Sequence, residues 1–88
     1  MILRRTGQFR KDVKRLQRQG KDMSALRTVI AMLSAGRQLP PEYRDHKLTG
    51  DWRGCRERHL AGDWLLIYET SRDVRTLERT GSHSGLVG

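Results

Sequence analysis

Five large apolar side chains stand in succession at Trp64, Leu65, Leu66, Ile67 and Tyr68, and no other segment of the chain has such a run. A strand without polar alternation must be buried on both faces, so this run predicts the central strand of a sheet. The chain has 88 residues, 32% of them charged, and a chain of this size can bury one modest core. We therefore expect a single domain over residues 1–88.

Two amphipathic helical patterns precede this strand. The first lies between Thr6, a candidate N-cap, and Gly20, a candidate left-handed terminator. The second lies between Asp22, a candidate cap, and Gly36. The link between them is short, so the two helices should pack as a hairpin. The inward-facing residues are predicted to be Phe9, Val13 and Leu16 in the first helix and Met23, Leu26, Val29, Ile30 and Leu33 in the second.

Three strand candidates follow a segment at residues 39–43 whose two prolines cannot continue a helix. The three strands are predicted at residues 52–60, 64–70 and 74–80. Hairpin turns at residues 61–63 and 71–73 connect them. A short strand is also expected at residues 2–5, and a mobile tail at 82–88. The order β-α-α-β-β-β predicts an α+β fold, in which a small antiparallel-rich sheet carries the N-terminal helical hairpin on one face.

Positive charge is concentrated in the first half of the chain. Residues 1–44 hold 11 Lys and Arg against three Asp and Glu, whereas residues 45–88 hold seven of each. The whole chain has a formal charge of +8, which favours a polyanionic partner such as RNA. We expect the basic face of the first helix to bind RNA phosphates through Arg10, Lys11, Lys14, Arg15 and Arg18.

All three histidines, His46, His59 and His83, lie in the second half, together with Asp63 and Arg79. Imidazole gives and takes protons near neutral pH, and arginine matches the geometry of a phosphate group. The set therefore indicates acid–base chemistry on a phosphate-containing substrate. The histidines are separated by 13 and 24 residues, which matches no compact zinc motif, so we expect neither a metal nor another cofactor.

The remaining composition indicates a cytoplasmic protein. Cys55 is the single cysteine, so no disulfide can form within the chain. No apolar run approaches the roughly 20 residues of a membrane-spanning helix. The N-terminus also lacks the apolar region of a secretory signal. We expect no membrane association.

Several segments, taken together, resemble the YafQ-type toxins of the RelE/ParE superfamily. Residues 39–54 follow the pattern LP-x-x-Y-x-DH-x-L-x-G-x-W-x-G of that family. The further matching segments, in order and approximate spacing, are residues 7–14, 56–59, 62–68 and 78–83. One departure is Val87, which stands where the family has an aromatic residue. Valine cannot stack on a base, so the codon preference is left open.

The resemblance implies a small cytoplasmic toxin that cleaves mRNA in the ribosomal A site and is neutralised by a cognate antitoxin protein. It implies that the free toxin is a monomer and that the toxin forms a hetero-oligomer with the antitoxin. The positions it carries over as catalytic are His46, His59, Asp63 and His83. It carries over Trp64 and Arg79 as supporting contacts to the RNA, with Arg79 assigned to the phosphate.

Two other functions share parts of this pattern. A ParE-type toxin has the same fold but acts on a topoisomerase and needs no acid–base set, which the histidines here argue against. A non-catalytic RNA-binding module would need only the basic helix. Such modules usually interleave exposed aromatic residues with basic ones, and this chain has five aromatic residues in all.

Overall fold

The computed structural model describes residues 2–36, 46–47 and 54–86. The strands are β1 (Ile2–Arg5), β2 (His46–Lys47), β3 (Cys55–Ala61), β4 (Trp64–Ser71) and β5 (Val74–Ser82). The helices are α1 (Gly7–Arg18), α2 (Ser24–Ser34) and the single turn α3 (His83–Leu86). The predicted α+β fold is confirmed.

The strands form one five-stranded sheet in the order β1-β5-β4-β3-β2. β1 runs parallel to β5, and the other neighbours are antiparallel. Strand β4 is therefore central, as its apolar run predicts. Trp64, Leu66 and Tyr68 join the core under the helices. Leu65 and Ile67 are also fully buried, and side-chain alternation directs them to the opposite face.

The ends of helix α1 follow the predicted signals. The backbone N–H of Phe9 donates to Oγ1 of Thr6 at 3.0 Å. The same hydroxyl donates to the carbonyl of Glu78 at 2.9 Å, which fixes the start of the helix against strand β5. Gly20 follows the helix with a φ of 76°, a left-handed conformation that favours glycine.

Helix α2 begins slightly later than its predicted cap. Met23 occupies the N-cap position. One residue earlier, Oδ1 of Asp22 accepts hydrogen bonds from the backbone N–H of Ser24 at 3.0 Å and from its hydroxyl at 2.7 Å. Asp22 thus still binds an N–H at the helix start, which is the function of a cap.

The strand boundaries and the C-terminal segment differ from expectation. β3 continues to Ala61, and its predicted start at Trp52 lies outside the described residues. The predicted mobile tail is wrong for residues 82–86: Ser82 ends β5, and its hydroxyl accepts from the backbone N–H of Gly85 at 3.1 Å within the turn α3. His46, predicted on a loop, lies in strand β2, because its backbone pairs with Glu57. No described helix is long and apolar enough to cross a membrane.

Candidate active site

The turn after strand β5 brings two predicted catalytic residues together. Asp63 lies in the β3–β4 turn, and its carbonyl accepts a hydrogen bond of 2.8 Å from the backbone N–H of His83. Just inside this contact, Trp64 pairs with Ser82 across the β4–β5 ladder. Asp63 and His83 are both exposed. The exposed imidazole of His83 is thus anchored through its backbone at one end of the sheet.

His59 lies on strand β3, with its ring beside a carboxylate that we did not predict. Nε2 of His59 is 3.4 Å from Oε1 of Glu57, and the His59 side chain is 23% exposed. Glu57 is buried. The two residues are separated by two positions in a strand, so they share the face opposite the helices. A charged residue two positions from a histidine in a strand is the sequence signal that could have identified Glu57.

The predicted catalytic positions are spread across the sheet. His46 pairs with Glu57, Glu57 pairs with Ile67, and Ile67 pairs with Arg79. The backbones of His46 and Arg79 are therefore three strand spacings apart, about 14 Å at the usual spacing between strands. For His46, the structure describes the backbone and not the side chain. His46 and Arg79 are therefore the two ends of a row across the sheet, with Glu57 and Ile67 between them, and do not form a compact cluster.

Arg79 is held by a second carboxylate that we did not predict. Nε and Nη2 of Arg79 donate to Oδ2 and Oδ1 of Asp12 at 2.7 and 3.1 Å. The Asp12 side chain is 0% exposed, whereas the Arg79 side chain is 25% exposed. The guanidinium thus has a fixed inner edge on helix α1 and a partly exposed outer part.

Asp12 also accepts from two further donors. The backbone N–H of Thr80 donates to Oδ2 at 3.1 Å, and Nη1 of Arg15 donates to Oδ1 at 3.0 Å. Burial alone would raise the pKa of Asp12, but the hydrogen bonds from Arg79, Thr80 and Arg15 together outweigh burial and lower it. The same contact with Asp12 raises the pKa of Arg79. Asp12 is therefore a carboxylate, and Arg79 a cation, at cellular pH.

The sequence does carry a signal for Asp12. Asp12 is three residues after Phe9 and four before Leu16, so it falls on the apolar stripe of α1. A charged residue at such a position must find partners when the stripe is buried. The partner Arg79 is distant in sequence, and only the fold identifies it.

Arg15 points toward strand β5 rather than freely into solvent. A Cβ atom on Gly81 would lie 3.2 Å from Nη2 of Arg15, so this guanidinium lies close above the strand. A polar pocket of about 200 Å³ begins beside it. The pocket is lined by Arg15, Leu16, Gln19, Lys21, Asp63, Trp64 and Ser82. It therefore leads from Arg15 to Asp63 and to Ser82 at the end of β5.

Trp64 does not have the exposed ring that an RNA contact requires. It is 2% exposed and belongs to the core. Its Nε1 donates to Oγ1 of Thr80 at 2.8 Å, and that hydroxyl donates to the carbonyl of Leu65 at 2.8 Å. Nζ of Lys21 lies 4.8 Å from the ring centroid. The predicted RNA contact of Trp64 is therefore corrected to a structural role, because a buried indole has no free face for a base.

The remaining basic residues of α1, Arg10, Lys11, Lys14 and Arg18, are exposed. Arg10 and Lys14 also line a groove of about 440 Å³ between α1 and α2. Within the described part of the chain, no group of three or more His, Cys, Asp and Glu residues could hold a metal ion.

Comparison with known proteins identifies the family. The family model described as "Bacterial toxin of type II toxin-antitoxin system, YafQ" matches residues 1–88. The mRNA interferase toxin YafQ of Escherichia coli (strain K12) is 42% identical over 84 residues, which cover 94% of this chain and 91% of that protein. A putative toxin YafQ of Haemophilus influenzae is 45% identical over 42 residues, covering 48% of this chain and 41% of that protein.

Solved structures agree over nearly the whole chain. The crystal structure of YafQ from E. coli strain BL21(DE3) has a TM-score of 0.93 and 39% identity, covering 98% of this chain and 97% of that one. YafQ in the E. coli DinJ–YafQ toxin–antitoxin complex has a TM-score of 0.89 and 40% identity, covering 98% and 96%. Together with the family model, these matches confirm the resemblance that the sequence motifs indicate. The chain belongs to the YafQ family of bacterial toxins of type II toxin–antitoxin systems.

Proposed function

We propose that this chain is an endoribonuclease that cleaves mRNA in the ribosomal A site by metal-independent acid–base catalysis. The observation that carries the proposal is that one short segment of the chain holds a fixed, partly exposed arginine on β5 and, directly after that strand, an anchored, exposed histidine. Arg79 lies on β5, and His83 follows the end of β5. The E. coli relative at 42% identity is named an mRNA interferase.

The reaction needs a base, an acid and a cation. The base takes the proton of the ribose 2′-hydroxyl, whose oxygen forms a bond to the adjacent phosphorus. The bond from phosphorus to the 5′-oxygen breaks, and the acid protonates that leaving oxygen. A cation stabilises the negative charge that accumulates on the other phosphoryl oxygens. Each positioned proton transfer contributes typically ~10²–10⁴-fold.

We assign Arg79 to the phosphoryl oxygens and His83 to proton transfer at the scissile phosphate. Arg79 fits its role because Asp12 fixes one edge of the guanidinium and the rest is partly exposed. His83 fits its role because its ring is exposed while its backbone is bound to Asp63. Which transfer His83 performs is left open.

We assign His59, Asp63 and His46 to the remaining proton transfer and to holding the substrate. The attacking and leaving oxygens lie on opposite sides of the phosphorus in an in-line displacement, so acid and base must stand apart. His59 pairs with Leu65, and Leu65 pairs with Gly81, which is two residues before His83. This register brings His59 to the same end of the sheet as His83 but from another strand, and His46 lies on the strand beyond it, which supports their use opposite His83.

The exposed residues Arg10, Lys11, Lys14 and Arg18 are assigned to ribosomal RNA. Contacts of this kind add affinity without reading sequence, and they weaken with salt. By likeness to the DinJ–YafQ complex, a cognate antitoxin protein is the second partner, and it would form a hetero-oligomer with a toxin that is otherwise a monomer. Because the proposed activity requires ribosomes, we assign it to the cytoplasm.

The test is to add the purified protein to a translation reaction and to map the 5′ ends of the mRNA. Codon-phased cuts that disappear in His83→Ala are expected. Ser84→Ala is the matched control, because Ser84 is the exposed neighbour in the same turn. Intact mRNA with inhibited DNA supercoiling would select a ParE-type toxin, and stable RNA binding without cuts would select a non-catalytic module. Either result would overturn the proposal.

A further inference from the structure

One buried carboxylate on helix α1 joins two arginines. Asp12 receives the Nε and Nη2 donors of Arg79 and the Nη1 donor of Arg15, all within 3.1 Å. We propose that Asp12 is a positioning residue that holds Arg15 and Arg79 side by side as a two-arginine clamp for a phosphate group of the RNA. The clamp deepens the proposed function and rests on it.

The hydrogen bonds between Arg79 and Asp12 leave one edge of the guanidinium group available to bind a phosphate. Arginine has five N–H donors arranged in a planar fork. Asp12 engages the donors on Nε and on one side of Nη2. The outer edge, formed by Nη1 and the other side of Nη2, points away from the carboxylate and presents the pair of parallel donors that bind phosphate in a bidentate manner.

Arg15 is the second member of the clamp. Its side chain is 47% exposed, yet its guanidinium bonds to Asp12 and lies above Gly81 of strand β5. The absence of a side chain at Gly81 makes room for it, since a Cβ there would approach Nη2 to 3.2 Å. This sets Arg15 apart from the other basic residues of α1: it belongs to the site rather than to the exposed basic face.

Electrostatics explains why both arginines need Asp12. Two guanidinium groups repel each other, and a long, half-exposed side chain such as Arg15 would move into solvent. One fully buried carboxylate between them holds both and leaves the three side chains with a net charge of about +1. The assembly is therefore still attractive to a phosphate, and its donors are arranged before the substrate arrives.

The first measurement follows cleavage of ribosome-bound mRNA under single-turnover conditions. Asp12→Asn keeps the shape of the side chain but removes its charge. We expect the rate to fall about tenfold to a hundredfold with ribosome affinity unchanged, because misplacement of a positioning group by about 1 Å costs up to roughly 10²-fold. In an Arg79→Ala background, Asp12→Asn should reduce the rate by no more than about twofold further. Independent, multiplying effects would overturn the clamp.

The second measurement does not depend on cleavage. The Nε–H signal of Arg79, observed by nuclear magnetic resonance, should shift when inorganic phosphate is added to the wild-type protein, and Asp12→Asn should abolish that shift. If the wild-type protein shifts but cuts no mRNA, the proposed function fails and the clamp stands. No shift in the wild type, or an equal shift in Asp12→Asn, would overturn the clamp.

Two further variants guard against a general loss of folding. Val29 lies on helix α2, where its side chain is fully buried in the core and outside the site. Val29→Ala therefore lowers the stability of the fold without changing the site. It should cleave at the wild-type rate under conditions where it is folded. Arg15→Gln removes one member of the clamp from a half-exposed position without burying anything. It should weaken the phosphate response of Arg79 severalfold, and an unchanged response would contradict the two-arginine arrangement.

Discussion

Oδ2 of Asp12, on the first helix, lies 2.7 Å from Nε of Arg79, on the last strand. This ion pair joins residues 67 positions apart. It places the basic N-terminal half of the chain inside the candidate site, although the sequence suggests a division between a basic half that grips RNA and a neutral half that performs chemistry. Helix α1 does both: its exposed face is basic, and its buried Asp12 fixes an arginine of the site.

Asp12→Ala should destabilise the fold by about 2–3 kcal/mol. The substitution leaves the Arg79 guanidinium and the buried N–H of Thr80 without their acceptor, and the partial exposure of Arg79 keeps the loss below that of a fully buried ion pair. Urea denaturation measures it, with Lys11→Ala, at the exposed neighbouring position, as the control. A loss below about 1 kcal/mol would show that the network contributes little net stability.

Stability should fall in acid, and Asp12 should account for part of that fall. Its folded-state pKa is lowered by the hydrogen bonds that outweigh its burial, so its contribution is present above the unfolded-state pKa and is lost as pH falls through the folded-state pKa. The window lies below about pH 4. Glu78 has a raised pKa, because of burial and the nearby Glu69, and so has the opposite dependence.

The free energy of unfolding, measured between about pH 2 and pH 7 for the wild type and for Asp12→Asn, isolates the contribution of Asp12. The difference between the two proteins should shrink as the pH falls. A difference that stays constant over this range would mean that Asp12 does not titrate differently in the folded and unfolded states.

Trp64→Phe should cost about 1–2 kcal/mol of stability and leave cleavage largely intact. Phenylalanine keeps an aromatic ring in the core but removes the Nε1 donor that bonds to Thr80, so the effect falls on folding. Thermal or urea denaturation and the single-turnover cleavage rate are measured on the same sample. A stable variant with a severe loss of RNA binding would instead support a direct contact between Trp64 and RNA, which the burial of Trp64 argues against.

The exposed basic face of α1 should govern salt dependence rather than chemistry. Lys11→Gln combined with Lys14→Gln should weaken ribosome binding and reduce the slope of log affinity against log salt by about two, one for each phosphate contact removed. The rate on saturated ribosomes should not change. Arg72→Asn, in the β4–β5 turn where φ is 54°, is the control: it removes one positive charge away from α1 and keeps a residue tolerant of this backbone. A change in slope from Arg72→Asn half as large as that from the double variant would indicate a contribution from net charge alone.

Local patterns in the sequence were sufficient for helices α1 and α2 and for most of the strands, but not for β2 or α3. The uninterrupted apolar run of β4 predicts a central strand because alternation is missing, and Thr6 and Gly20 mark the ends of α1 because their roles depend on a few neighbours. The parallel pairing of β1 with β5 has no such local signal. It depends on how the helical hairpin returns the chain to the sheet.

The candidate site was only partly predictable, because it too depends on contacts between segments that are distant in sequence. The matching segments contain Asp12 and Glu57 as well as His59, His83 and Arg79, but they do not indicate which side chains the two carboxylates contact. Glu57 and Asp12 acquire their contacts through strand alternation and through packing between distant segments. Trp64 was misassigned because a tryptophan at the start of a strand is compatible with either a core or a surface position, and only its 2% exposure decides between them.

The central claim is that a fixed arginine and an anchored histidine at the end of β5 cleave ribosome-bound mRNA. The most direct test is the single-turnover cleavage rate on programmed ribosomes at saturating ribosome concentration, compared among wild type, His83→Ala and Ser84→Ala. We predict a loss of at least about 100-fold for His83→Ala, the scale of a lost proton transfer, with unchanged ribosome binding and an unchanged rate for Ser84→Ala. Cleavage by His83→Ala at the wild-type rate would contradict the account.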